Sequence, residues 1–184
     1  MSKLIELAPN CYYLPSAVNV GVVANESREA LIIDSGGDKD YGRTIRKEVE
    51  GMGLKPVAII NTHSHADHYG GNDFLARNLN LPVYAPEIEE AILRYPYLEP
   101  LYLYGGAVPL AGLRNKWLEA KASPVDVVYE VNDTPMNIGT FTLQRHDTSG
   151  HAVRQVALGV GTICYAADAF FGAEVLSKYG IPFV

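Results

Sequence analysis

At 184 residues the chain is long enough for one domain with a substantial core, and 48% apolar against 20% charged residues is an ordinary globular balance. A net charge of −6 without any basic run excludes a surface built to neutralise a nucleic-acid backbone. No apolar run approaches the roughly 18 residues of a membrane span, and "MSKLIELAPN" has too little apolar length for a secretory leader, so a soluble, cytoplasmic protein is expected.

In chain order, "KLIELAPNCYYLP", "NVGVVAN" and "EALIIDSGG" read as short strands punctuated by Pro, Asn and Gly. "DKDYGRTIRKEVEGMG" reads as an amphipathic helix with Asp38 as N-cap, an apolar stripe of Tyr41, Ile45, Val49 and Met52, and Gly53 to close it. "PVAIIN" is nearly all apolar, as expected of a strand buried on both faces. A short helix at "NDFLARN" and a strand at "LPVYA" follow. The second half reads as strands near "VDVVYEV", "MNIGTFTLQRH", "RQVALGV" and "GTICYAAD". Cys11 and Cys164 lie in strand-like stretches and read as buried reduced thiols rather than a disulfide.

Directly after the buried strand comes "NTHSHADHYGG", with His63, His65, Asp67 and His68 inside six positions. Residues two apart on a chain leaving a strand point the same way, so His63 and His65 face one ligand. A turn at Ala66 brings Asp67 and His68 in from a neighbouring direction, and Gly70 and Gly71 let the backbone pass close beneath. The motif thus offers two imidazoles to one metal and an imidazole with a carboxylate to a second. Neutral imidazole and carboxylate suit zinc, iron or manganese, and the absence of nearby thiolates argues against a structural zinc finger. His151, in "DTSGHA", and Asp168, in "YAADAFFG", are further candidate ligands at strand ends; either alone would read as a loop residue or a cap. His146, five residues before His151 on the same strand, reads as a polar strand residue.

The run "THSHADH", then "SGH" some eighty residues on, then "AD" after another strand, resembles the metallo-β-lactamase superfamily of metallohydrolases. The resemblance covers essentially the whole chain. It implies a single α/β (α+β) domain over residues 1–184, a four-layer αββα sandwich of two mixed sheets with a metal site at one edge. It further implies that His63, His65 and His151 bind one metal, that Asp67 and His68 bind a second, that Asp168 bridges them, and that Asp34 supports the motif loop from behind. Zn²⁺, one or two per chain, is the implied cofactor, with Fe or Mn as substitutes. The implied reaction is hydrolysis of an ester, thioester, amide or phosphoester by a zinc-bound hydroxide, Asp67 also serving as catalytic base. A mononuclear iron dioxygenase using His63, His151 and Asp168 is the enzyme alternative, and a metal-binding module without turnover the non-enzyme one.

Ala167 stands where the family commonly has Gly, and Ser149 where it commonly has Pro. No histidine follows His151, whereas the family's second metal usually takes one from a later strand. The expectation is therefore a domain C-terminally truncated relative to the family, with a weaker second site. The missing strands and helix would leave an unpaired sheet edge and an uncovered apolar face, so a homo-oligomer is expected. The remaining partner is a small-molecule substrate, with no nucleic acid and no membrane. The aromatic-rich stretch 94–120, with Tyr95, Tyr97, Tyr102, Tyr104 and Trp117, reads as an insertion that packs its aromatics on the sandwich, the preferred reading, or that overhangs the site to bind substrate or forms a dimer contact.

Overall fold

In the computed structural model, which describes residues 4–179, the β-rich opening forms β1 (Ile5–Ala8), β2 (Cys11–Leu14), β3 (Val20–Ala24) and β4 (Glu29–Ile33). Helix α1 (Lys39–Gly51) then leads to β5 (Lys55–Ile60), α2 (Ala66–Tyr69), α3 (Asn72–Leu79), β6 (Val83–Pro86), α4 (Glu89–Arg94), α5 (Leu98–Leu103) and β7 (Val127–Tyr129). These seven strands form one sheet in sequence order, antiparallel from β1 to β4 and parallel from β4 to β7. A second sheet holds β8 (Pro135–Ile138), β9 (Phe141–Asp147), β10 (Val156–Val160) and β11 (Ile163–Tyr165) in the order β11-β10-β9-β8. Every described pairing in it is antiparallel, so only the first sheet is mixed. Helix α6 (Ala173–Tyr179) ends the described chain.

The period of two along β3, β4 and β5 sorts their apolar residues onto two faces. Val20, Val22, Ala30, Ile32 and Ile59 meet Ile45 and Val49 of α1 and Leu75 of α3. Val23, Leu31, Ile33, Ala58 and Ile60 meet Ile138, Phe141, Leu143, Val156 and Leu158 of the second sheet. Both faces of the first sheet are thus buried, which is why these strands read as unbroken apolar runs. Asp38 caps α1 as expected, accepting from the N–H groups of Asp40 and Tyr41, while Met52 lies beyond the helix and is 37% exposed.

The stretch "MNIGTFTLQRH" is two strands, not one. Gly139, at φ +57°, takes the left-handed conformation that turns β8 into β9 as a hairpin. Across the outer face of this sheet Asn137, Thr142 and His146 are exposed, beside the small Ala157 and Gly159. Among the described residues that face is polar, not the uncovered apolar surface expected of a shortened domain. Cys11 is buried but Cys164 is exposed; both are free thiols. Among the described residues no helix is long and apolar enough to cross a membrane.

Candidate metal centre

Four loops meet at one end of the two sheets. They follow β4, β5, β9 and β11, and they carry Asp34, the 61–68 motif, His151 and Asp168. The motif loop is pressed against the β4 loop. Ser35 N–H donates to the His68 carbonyl at 2.7 Å, and Gly71 N–H donates to the Gly36 carbonyl at 3.3 Å. Gly70 and Gly71 do let the chain pass closely, but through space rather than through an unusual φ. A Cβ on Gly70 would lie 2.1 Å from the Gly37 carbonyl oxygen, and one on Gly71 would lie 2.4 Å from that of Ser35.

Asp34 holds this loop from behind. It sits at φ +62°, a left-handed conformation that costs a non-glycine residue about 1–3 kcal/mol and persists where the surroundings over-determine it. Its Oδ1 accepts from Thr62 N–H at 2.8 Å, and its Oδ2 accepts from the Thr62 hydroxyl at 2.8 Å and faces His68 Nδ1 at 2.8 Å. Because that hydroxyl spends its one hydrogen on Asp34, its contact with His63 Nδ1 at 2.9 Å must be an acceptance. Both histidines therefore carry hydrogen on Nδ1 and present Nε2 to the centre. Asp34, His63 and His68 lie close enough to be a donor group of their own, but the oxygens of Asp34 are taken by these donors, so it orients the ligands.

The donor atoms of His63, His65, His151 and Asp168 all lie within 4.8 Å of one another. His151 Nε2 stands 2.9 Å from His65 Nδ1, and Asp168 Oδ2 lies 3.4 Å from His151 Nε2 and 3.5 Å from His68 Nε2. Asp168 therefore reaches both halves of the site. Burial, then the charges of His68 and His65, holds His63 far below the usual imidazole range; burial, then His151, brings His65 down to about 4. Burial opposes charge on His68 too, but Asp34 and Asp168 outweigh it and raise it to about 10. Burial likewise opposes charge on Asp168, but the adjacent imidazoles of His151 and His68 hold it well below the usual carboxylate range.

The residues fit a divalent cation. His63 Nε2 is fully buried without a hydrogen-bond partner, which costs about 1–3 kcal/mol unless something else fills that role. Neutral imidazoles and an ionised carboxylate are the forms that bind metal, and a cation at His68 Nε2 would take the place of its proton.

Asp67 lines the same cleft, but among the described residues neither close donor group includes it. His146 lies outside both groups and faces outward from β9, as expected. The cleft has a volume of about 1050 Å³. Tyr102, Leu103, Trp117 and Leu118 line it on one side and Phe170 and Phe171 on another. The 94–120 stretch therefore borders the cleft, with Trp117 68% exposed, and does not bury its aromatics on the sandwich. Glu99 of α5 also lines the cleft; burial, then the charges of Asp67 and Glu89, pushes it up to about 8. Neither Glu99 nor Glu89 was legible as a site residue, since each sits in a helical run where glutamate usually faces solvent.

A sequence model of the metallo-beta-lactamase superfamily matches residues 13–181. The chain is 33% identical over 153 residues to a probable metallo-hydrolase, YqgX, of Bacillus subtilis (strain 168), covering 83% of this chain and 64% of that protein. A hydroxyacylglutathione hydrolase of Nitrosomonas europaea is 35% identical over 68 residues, 37% of this chain and 24% of that one. Among solved structures, the BLEG-1 B3 metallo-beta-lactamase is similar at a TM-score of 0.61 and 29% identity, over 86% of this chain and 66% of that one. BJP-1, a subclass B3 metallo-beta-lactamase of Bradyrhizobium japonicum, shares the fold at a TM-score of 0.68 and 23% identity, over 88% and 59%. This chain spans under two thirds of the length of these relatives. With the motif, the paired sheets and the donor cluster in agreement, the chain belongs to the metallo-beta-lactamase superfamily.

Proposed function

We propose that the chain is a metal-dependent hydrolase acting on an ester, thioester, amide or phosphoester, with zinc as its metal. The observation that carries this reading is the convergence of three imidazoles and Asp168 within 4.8 Å at the floor of an open cleft. When bound, the metal supplies Lewis acidity that brings the ionisation of water from about 16 to near 7. His63, His65 and His151 would hold the first ion. Asp168 would bridge to a second, held by His68 and Asp67 and weaker because this chain offers it a single imidazole. Asp67 also accepts the proton of the attacking water. The aromatic and aliphatic walls hold an apolar group of the substrate beside the reacting bond. Those walls, with the local likeness to hydroxyacylglutathione hydrolases, favour carbonyl substrates, thioesters first, over phosphoesters.

Elemental analysis of chelator-free protein, run beside a hydrolysis screen of aryl esters, thioesters and phosphodiesters, tests the reading. Between one and two zinc ions per chain and chelator-sensitive thioester hydrolysis are expected, with both lost in a His63→Ala/His65→Ala variant. Unchanged metal content in that variant would sink the assignment. Iron with oxygen-dependent turnover would support a mononuclear dioxygenase instead.

A further inference from the structure

Glu89 opens α4 and is 1% exposed, yet it is not among the donors around the centre. A carboxylate buried so deeply needs partners, and those it has belong to two different loops. Its Oε2 accepts from Ser64 N–H at 3.0 Å and from the Ser64 hydroxyl; its Oε1 accepts from Arg154 N–H at 2.8 Å. Ser64 lies between His63 and His65, and Arg154 lies three residues after His151. The residue before it, Ile88, is held at φ +70°, a conformation a β-branched side chain rarely adopts and one that marks a constrained position. The start of β10, just after the His151 loop, also meets the motif loop directly, where Val156 N–H donates to the Thr62 carbonyl at 3.1 Å.

We propose that Glu89 is a positioning residue for the metal centre: one buried carboxylate fixes the spacing between the loop of His63 and His65 and the loop of His151. This rests on the reading of those histidines as metal ligands. The chemistry requires a carboxylate. Two backbone N–H groups and a hydroxyl all point at Glu89, and only a side chain with two acceptor oxygens can serve both loops. A glutamine of the same shape would turn an NH₂ toward one of those donors and release that loop.

The test measures zinc affinity by competition with a chromophoric chelator, and the visible spectrum of the Co²⁺-loaded protein, for wild type, Glu89→Gln and Val49→Ala. Val49 is fully buried on α1 against the other face of the first sheet, so its truncation lowers stability without touching either loop. Glu89→Gln is expected to weaken zinc by about 10- to 100-fold, the usual effect of losing a group that orients ligands, and to change the Co²⁺ spectrum. Val49→Ala should keep the wild-type affinity within twofold and the wild-type spectrum. Wild-type affinity and spectrum in Glu89→Gln would overturn the proposal, as would an equal loss in a Val49→Ala protein of matched stability. If Glu89→Gln does not fold, Ser64→Ala carries the test; a severalfold weaker zinc affinity is expected, and an unchanged one overturns the proposal. A wild-type protein that binds neither metal refutes the metal reading itself, and this inference with it.

Discussion

Asp34 shows how much of a metal site can rest on one side chain that need not touch the metal. Through Thr62 and directly, it fixes the tautomers of His63 and His68. Asp34→Ala should therefore weaken zinc by about 10- to 100-fold while every proposed ligand remains, as competition titration would show; an unchanged affinity would mean that the tautomers are set without it. His65 and His68 give the metal-free protein a peaked stability profile. His65 titrates at about 4 in the fold against 6.5 when free, so between these values the unfolded chain binds more protons and stability falls as pH drops. His68 titrates at about 10 against 6.5, so its contribution is complete below 6.5 and is lost as pH rises toward 10. The melting temperature of chelator-stripped protein should peak near 6.5. Saturating zinc should move the maximum to higher pH, because the metal competes with protons for the imidazoles. A flat profile in the stripped protein would contradict the assigned environments of His65 and His68.

At the scale of elements, β3 to β5 and α1 were legible because local pattern and tertiary role agree: unbroken apolar runs mark a sheet buried on both faces, and a period of 3.6 marks one helix face. The motif was legible because its ligands are adjacent in sequence. The Glu89 tie was not, since its partner Arg154 lies 65 residues away and nothing in "PEIEEAIL" distinguishes a buried glutamate from a solvated one. The β8–β9 hairpin was missed because its two signals are small: Gly139, and a one-residue break in the apolar alternation between Ile138 and Phe141. The glycines after the motif were read correctly as a close approach, although the sequence could not name what they approach. Gly70 sits at φ −59°, where alanine is comfortable, so Gly70→Ala isolates the clash with Gly37 from any backbone effect. It should cost about 1–3 kcal/mol in denaturant unfolding and weaken zinc as the motif loop shifts. Gly51→Ala is the control: it ends α1, its Cβ would meet nothing within 4 Å, and stability should stay within about 1 kcal/mol of wild type. Equal behaviour of the two variants would show that the motif loop is not pinned against the β4 loop.

At the scale of the whole molecule, the sandwich and its site edge follow from the order of the elements, whereas the surface could not be read the same way. An uncovered apolar sheet face is not what the second sheet presents: Asn137, Thr142 and His146 occupy it. Exposed apolar area is concentrated instead in the 94–120 stretch, where Tyr95 is 66%, Val108 79%, Leu110 62% and Trp117 68% exposed. Isolated exposed apolar residues are ordinary, but several on one short segment approach the patch size that marks an interaction surface. Trp117 borders the cleft, while Val108 and Leu110 do not, so their exposure serves no contact with the site. Self-association through this segment is therefore expected, and it should be separable from the metal centre. Sedimentation across a concentration series should show a reversible dimer for the wild type. A Val108→Glu/Leu110→Glu variant, placing charges where two copies would meet, should sediment as a monomer and bind zinc as the wild type does. A wild type that remains monomeric at the highest concentrations would overturn this expectation and leave only the part of the segment around Trp117, which borders the cleft, with an assigned role.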